Sequence, residues 1–150
     1  MTEIAYLENQ VCFAMYSATN AMIRQYRPLL QEYDLTYPQF IVLLALYEKD
    51  NVTLSEIGQK TFFDSGTLTQ IIKKLEEKQF LKRVAVKEDE RMKKVILLEK
   101  ALSAKDEITL IPFKLACSLG IQPNDLVAIH NLCHRFLKGL EDSKLESMSE

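Results

Sequence analysis

Cys12 stands four residues before Tyr16. Residues so spaced share one face of a helix, which lets a phenolic hydroxyl donate to a thiolate. A thiolate beside hydroxyl donors is the chemistry that peroxide oxidises to a sulfenic acid. On the residues alone two readings of Cys12 stay open: a reactive thiol, or a small hydrophobe packed on an apolar helix. Cys117 and Cys133 complete an odd set of three with no C-x-x-C spacing, which argues against a structural zinc knot and a secreted disulfide framework and leaves at least one thiol free. Cys133 falls among the apolar positions of the last helix and is expected in the core. His130 and His134 have an i, i+4 spacing that can bind a metal. No carboxylate or further histidine in a nearby motif completes a ligand set, so they read as surface histidines and no metal is predicted. With no phosphate-cradling glycine loop and no nucleophile elbow, no cofactor is predicted and the chain is not read as an enzyme.

The elements that must carry these residues are mostly helical. Leu7, Val11, Ala14, Met15, Ala18 and Met22 recur at helical spacing, predicting a long helix from about Tyr6 to Tyr33 that Pro28 kinks or ends. Thr36-Tyr37-Pro38-Gln39 is a capping box with proline tolerated in the first turn, opening a helix to about Tyr47. Thr53-Leu54-Ser55-Glu56 repeats that pattern ahead of a short third helix. Asp64 or Ser65 caps a fourth, whose inner stripe is Leu68, Ile71, Ile72 and Leu75. The runs Leu81–Val86 and Lys93–Leu98 read as a hairpin whose polar tip is Lys87 to Met92. A helix from about Lys100 to Ile111, stopped by Pro112, and an amphipathic helix after Gly120 and Pro123 complete the chain.

Two short capped helices followed by a two-stranded ribbon are the order of a winged helix-turn-helix, in which the second helix enters the major groove of DNA. Ser65, Thr67, Thr69 and Gln70 point outward from that helix with groups able to bond phosphates and base edges, while Lys73 and Lys74 neutralise backbone charge. Gln70 is the base-reading candidate, because a carboxamide pairs bidentately with adenine. Arg83, Lys87, Arg91 and Lys93 give the ribbon a basic excess; Arg91 at the tip suits the minor groove and Asp89 can orient it. The ordinary alternative for any one of these side chains is a solvated, mixed-charge surface.

At 150 residues, 47% hydrophobic and 27% charged, the chain suits one helix-rich domain. Its net charge of −2 argues against nucleic-acid binding by overall attraction, so charge distribution has to decide. The first residues carry Glu3 instead of a basic region before an apolar one, and no stretch is long enough to span a bilayer; a cytoplasmic protein without membrane partners is expected.

Leu7-Glu8-Asn9-Gln10-Val11-Cys12-Phe13, Tyr26-Arg27-Pro28-Leu29-Leu30, Leu35-Thr36-Tyr37-Pro38-Gln39 and Asp64-Ser65-Gly66-Thr67-Leu68-Thr69 resemble the MarR family. Within it they are most similar to the organic hydroperoxide resistance repressors. The similarity runs from about Leu7 to Arg91 and thins beyond Met92. It implies a mostly α fold with a small β-ribbon, a winged helix-turn-helix, and a homodimer built by the N- and C-terminal helices. It also implies that Cys12 is oxidised by an organic hydroperoxide while tyrosines at 16, 26 and 37 hydrogen-bond around it. Cys12 and Tyr26 lie about 21 Å apart along a straight helix, so such a pocket has to form across subunits. The resemblance further suggests Cys117 as a resolving thiol that forms an intersubunit disulfide with Cys12; the alternative for Cys117 is plain surface packing. The chain departs from the family pattern at Gln70, where relatives have proline, at Met92, where many have a second arginine, and at Leu98-Glu99-Lys100-Ala101, which replaces a Leu-Thr helix cap.

The expectation is therefore one domain over residues 1–150, with a DNA-binding lobe at about 34–99 and a helical dimerisation region at 1–33 and 100–150. The reduced dimer binds a palindromic operator and represses; oxidation of Cys12 releases it. Three alternatives share the same residues: a regulator released by a small aromatic ligand, a thiol peroxidase, and a redox adaptor without DNA binding.

Overall fold

The computed structural model describes residues 6–86 and 89–147. A turn of 3-10 helix over Leu7–Asn9 leads into α1 (Val11–Gln31). Pro28, expected to kink or end this helix, lies inside it. Proline has no N–H for the carbonyl one turn back, but this one sits so near the C-terminus that little of the hydrogen-bond ladder remains to disturb. Asp34 then turns the chain at φ 54°, a left-handed conformation that its short polar side chain tolerates. α2 (Tyr37–Glu48) begins at the expected box, with the Thr36 N–H donating to Gln39 Oε1 at 3.0 Å and Pro38 in the first turn.

β1 (Val52–Thr53) precedes α3 (Leu54–Thr61). The box at its start closes in both directions: Glu56 N–H donates to Thr53 Oγ1 at 3.2 Å and Thr53 N–H to Glu56 Oε2 at 2.9 Å. The Thr53 N–H bond, followed by the Lys49 ammonium and the Thr53 hydroxyl, holds the Glu56 carboxyl well below its usual range, at about 2. Phe62 ends α3 at φ 59°, its N–H donating to the Gly58 carbonyl at 2.8 Å. α4 (Ser65–Glu77) follows at once and buries its inner stripe as expected, Leu68, Ile71, Ile72 and Leu75 all being inaccessible.

β2 (Leu81–Val86) and β3 (Asp89–Leu97) form the wing, and β1 joins it in a three-stranded antiparallel sheet of order β1-β3-β2. Leu81 pairs with Leu97, Arg83 with Val95, and Val52 with Val95 from the other side. Two expectations are revised here. The returning strand starts at Asp89 instead of Lys93, because the ladder is made by backbone groups and an exposed wing does not require apolar side chains. The third strand is too short to leave a period-two signature.

The single helix expected from about Lys100 to Ile111 is two, α5 (Glu99–Ser103) and α6 (Lys105–Leu119), and Pro112 lies within α6 without stopping it. Gly120 at φ 62° follows the end of α6, the left-handed position where glycine carries no Cβ penalty. α7 (Pro123–Ser147) then opens on proline, whose missing N–H costs nothing at a first helical position.

By compactness the chain divides into two units, Met1–Pro112 and Phe113–Glu150. The first has the core: Leu30, Phe40, Leu43, Leu46, Ile57, Leu68, Ile72, Leu75, Phe80, Leu81 and Val95 meet with Ala101, Ile108 and Ile111. Tyr47 fastens α2 to α5 by donating its hydroxyl to the Ala101 carbonyl at 2.7 Å, and burial pushes that phenol up to about 12. The second unit leaves the apolar side of α7 open: Ile129, Leu132, Phe136, Leu137 and Leu140 are exposed, and Cys133, expected in the core, is half-buried. Among the described residues no helix is long and apolar enough to cross a membrane.

Phe62 is a bulky side chain in a conformation that favours glycine, and it is 65% exposed, so little packing offsets the strain. Phe62→Gly is expected to raise stability by about 0.5–1 kcal/mol despite glycine's entropy. Urea midpoints measure this, and an unchanged or lowered midpoint contradicts it.

Candidate nucleic-acid interface and thiol face

The N-terminus of α4 is fixed by Asp64. Its Oδ1 accepts the Thr67 N–H at 2.9 Å and its Oδ2 the Thr67 hydroxyl at 2.6 Å. Those bonds, the hydroxyl's foremost, hold the Asp64 carboxyl below its ordinary range, so it stays ionised at the positive end of the helix. Thr67 is thus committed to the cap through its proton. Thr69 likewise donates its hydroxyl to the Ser65 carbonyl at 2.7 Å. Both are exposed and keep oxygen lone pairs, so they can accept hydrogen bonds but do not offer the free donors that residue type alone suggested. Ser65, Gln70 and Lys73 are exposed, and their side chains make no hydrogen bond or ion pair with another described residue. Lys74 is exposed but pairs with Glu77 at 3.1 Å on its own helix.

The sheet supplies the second half of the surface. Lys82 and Lys93 stand exposed on adjacent strands, with Lys93 opposite Ala85. Arg83, expected to face DNA, turns instead to α4: Nε donates to Glu76 Oε2 at 3.0 Å, a terminal nitrogen to the same oxygen at 2.6 Å, and the Arg83 backbone N–H to Oε1 at 2.9 Å. The Arg83 hydrogen bond, followed by the backbone one, lowers the Glu76 carboxyl below its ordinary range. This fork fixes the angle between the base of the wing and the outward helix. Lys87 lies outside the described residues. Of Asp89 and Arg91 only the backbone, within β3, is described.

The thiol and the tyrosines separate along α1. Cys12 is in its first turn and exposed, with Tyr16 one turn on and 67% exposed. Val11, Phe13, Met15 and Met22 are also open to solvent. Tyr26, by contrast, is only 8% exposed and packs on Tyr37 at 4.9 Å between ring centroids, with Phe40 completing the cluster at 5.6 Å from Tyr26 and 6.1 Å from Tyr37. Burial raises both phenols, with Tyr37 adding a smaller contribution at Tyr26, so both hydroxyls stay protonated donors. The two tyrosines come together within one chain. Cys12 does not join them, since fourteen residues of continuous helix hold it about 21 Å from Tyr26.

Cys117 is exposed in the last turn of α6. On α7, His130 and His134 bring their Nε2 atoms to 3.0 Å. Among the described residues no group of three or more histidine, cysteine and carboxylate side chains could hold a metal ion. Residue type gave no sign of the Glu76–Arg83 fork or of the contacts of Lys78; both join residues on different elements, and only the wing's return angle brings Arg83 over Glu76.

Comparison with known proteins agrees with this geometry. The transcriptional regulator SarA/Rot family matches residues 24–108. The chain is 39% identical over 106 residues to the organic hydroperoxide resistance transcriptional regulator of Bacillus subtilis, covering 71% of this chain and 72% of that protein. It is also 39% identical over 115 residues to the HTH-type transcriptional regulator TtmR of Methylorubrum extorquens, covering 77% of this chain and spanning 59% of that relative's length. Among solved structures, reduced AbfR bound to DNA superposes with a TM-score of 0.76 at 27% identity, covering 93% of this chain and 97% of that one. AbfR, from Staphylococcus epidermidis, is also described in an overoxidized form bound to DNA and in a disulfide form.

The fork between α4 and the wing yields a pH signature. Glu76 is depressed in the folded chain, so its contribution is present above the unfolded carboxylate value and disappears as pH falls through the lower folded one. Both side chains are about a third exposed, so Glu76→Gln is expected to cost no more than about 1 kcal/mol near pH 7. The gap from the parent protein should narrow as pH falls below the ordinary glutamate range and Glu76 becomes protonated. Chemical denaturation at neutral and at acid pH tests it, and a pH-independent gap refutes the assignment.

Proposed function

The chain belongs to the SarA/Rot family of MarR-like winged-helix transcriptional regulators, and we propose that it is a redox-sensing repressor whose reduced homodimer binds palindromic operator DNA and releases it when Cys12 is oxidised. The observation that carries this reading is the division of the thiol site along α1. Buried Tyr26 and half-buried Tyr37, both protonated, form one half, while exposed Cys12 lies about 21 Å from Tyr26 along the same helix. A second copy brings the halves together, and also covers the apolar side chains left open on α1 and on α7. The forms in which AbfR is described, reduced and overoxidized on DNA and disulfide-bonded, support redox control in this family.

The chemistry balances with an organic hydroperoxide as oxidant. The Cys12 thiolate attacks the distal peroxide oxygen, the O–O bond breaks, and protonated products are a sulfenic acid and an alcohol. The partner's Cys117 thiolate then displaces hydroxide from the sulfenic sulfur, leaving an S–S bond between copies and, after protonation, water. Gln70 reads a base edge, Ser65, Thr67 and Thr69 accept from or bond to the duplex, and Lys73, Lys74, Lys87 and Lys93 neutralise phosphates, with Arg91 oriented by Asp89 in the minor groove. Arg83 acts through its fork with Glu76.

A second reading, release by a small aromatic ligand, is favoured by one observation: a cavity of about 430 Å³ lined by Ile23, Arg27, Leu30, Thr36 and Tyr37. Cys12→Ser separates the two, since only ligand control survives it.

Gel shifts on the promoter region of the protein's own gene test the proposal. Cumene hydroperoxide at about one equivalent per thiol is expected to weaken binding about a thousandfold, about 4 kcal/mol, while Cys12→Ser stays bound. Oxidised protein that holds the fragment as tightly as reduced protein refutes redox release. On the reduced protein, Gln70→Ala should cost about 1–3 kcal/mol and relax preference at one base pair. Lys73→Ala should weaken all sequences alike and lower the salt slope by about one.

A further inference from the structure

Lys78 is the C-cap of α4, and its side chain leaves that helix for the elbow between α1 and α2. Its ammonium donates to the Asp34 backbone carbonyl and to Gln39 Oε1 at 3.2 Å, and pairs with Asp34 Oδ1 at 3.3 Å. The lysine side chain is 23% exposed, so these bonds are shielded better than those of a free surface pair. Gln39 is the buried polar residue among the described residues, and the same Oε1 accepts the Thr36 N–H at 3.0 Å. One oxygen therefore closes the cap of α2 and also anchors the end of α4. Tyr37, the first residue of α2, lies between Thr36 and Gln39 and packs on Tyr26. At its other side Lys78 is tied down by Lys100, whose ammonium donates to the Lys78 carbonyl at 3.0 Å and sits 4.4 Å from the centre of the Phe80 ring.

We infer that Lys78 is the positioning residue that transmits the state of the tyrosine pair to the recognition helix. The inference rests on the redox reading above and specifies how that site is coupled to DNA. A thiol that changes its hydrogen bonding to Tyr26 and Tyr37 on oxidation moves the first turn of α2. The capping oxygen of Gln39 and the carbonyl of Asp34 move with that turn, and Lys78, bonded to both, pulls on the C-terminal end of α4. The inner stripe of α4 stays buried in the core, so a pull at the C-terminal end turns the helix about that packed stripe. A strut that served only stability would weaken reduced and oxidised DNA complexes alike; a transmitting residue changes their ratio.

Lys78→Met keeps the aliphatic stem and removes every donor. On one promoter fragment, with thermal melts to check folding, the reduced variant is expected to bind within about threefold of the parent, while the loss on oxidation falls from about a thousandfold to about tenfold. Lys78→Arg, which restores a cation and donors, should recover most of the parent ratio. If Lys78→Met fails to fold, Lys78→Leu, which also has no donor, serves for the same ratio. A parent-like ratio in the donor-deleted variant, or equal weakening of both states, overturns the assignment to Lys78 while leaving redox control intact. A parent protein whose binding ignores peroxide overturns both.

Discussion

The fold is organised around one helix held at three places. The inner stripe of α4 (Leu68, Ile71, Ile72 and Leu75) is buried against the rest of the first unit, which fixes the axis and leaves the opposite side free. Burying four such side chains contributes several kcal/mol, on the order of 1.5–3 each, whereas each polar anchor contributes about one. Apolar packing therefore determines that the helix lies where it does. The polar anchors determine its angle: Glu76 on the wing through Arg83, and Lys78 on the elbow at the end, while Asp64 closes the helix's own first turn. A reading helix needs both, because side chains that meet base edges must be placed to within a hydrogen bond's tolerance.

Charge follows the same division. The chain is slightly acidic overall, yet several carboxylates nearest the outward surface are already engaged: Asp64 in the cap, Glu76 in the fork, Glu77 with Lys74. Exposed Lys73 and Lys93 remain. Glu76 and Glu77 are offset by Arg83 and Lys74, so the placement of charge, and not its sum, bears on nucleic-acid affinity here.

Much of this was legible in the sequence, and the parts that were not share a cause. The boxes at Thr36 and Thr53, the Asp64 cap and the stripe of α4 are local patterns, each decided by residues within one turn, and they appear where spacing predicted them. Pro112 was expected to stop its helix and Pro28 to kink or end its own, and neither ends it, because a proline's cost depends on what else holds its helix. The start of β3 was obscured by its charged side chains, since a ladder of backbone bonds leaves little trace in residue type. Thr67, Thr69 and Arg83 are exposed or half-exposed polar groups, but their protons are directed at the chain's own acceptors, which depends on rotamers and, for Arg83, on how the chain turns from α4 into the wing. The tyrosine cluster lies between: residue resemblance brought 26 and 37 together, and the structure supplies the contact distance.

The stiffness of α1 turns a local oxidation into a question of assembly. Within one chain the thiol and the phenols are separated by a length that helix geometry does not allow to shrink, so a reactive pocket on the proposed reading exists only where two chains meet. On the same proposal that pairing sets the spacing of the two outward helices, which must match successive major grooves about one helical turn apart. The proposed interface then carries both the sensing pocket and the ruler for DNA, and a change in one is a change in the other. The two helices need not be damaged or withdrawn for binding to fail; rotating each by a small angle in opposite senses takes them both out of register, and the lost contacts add across the half-sites.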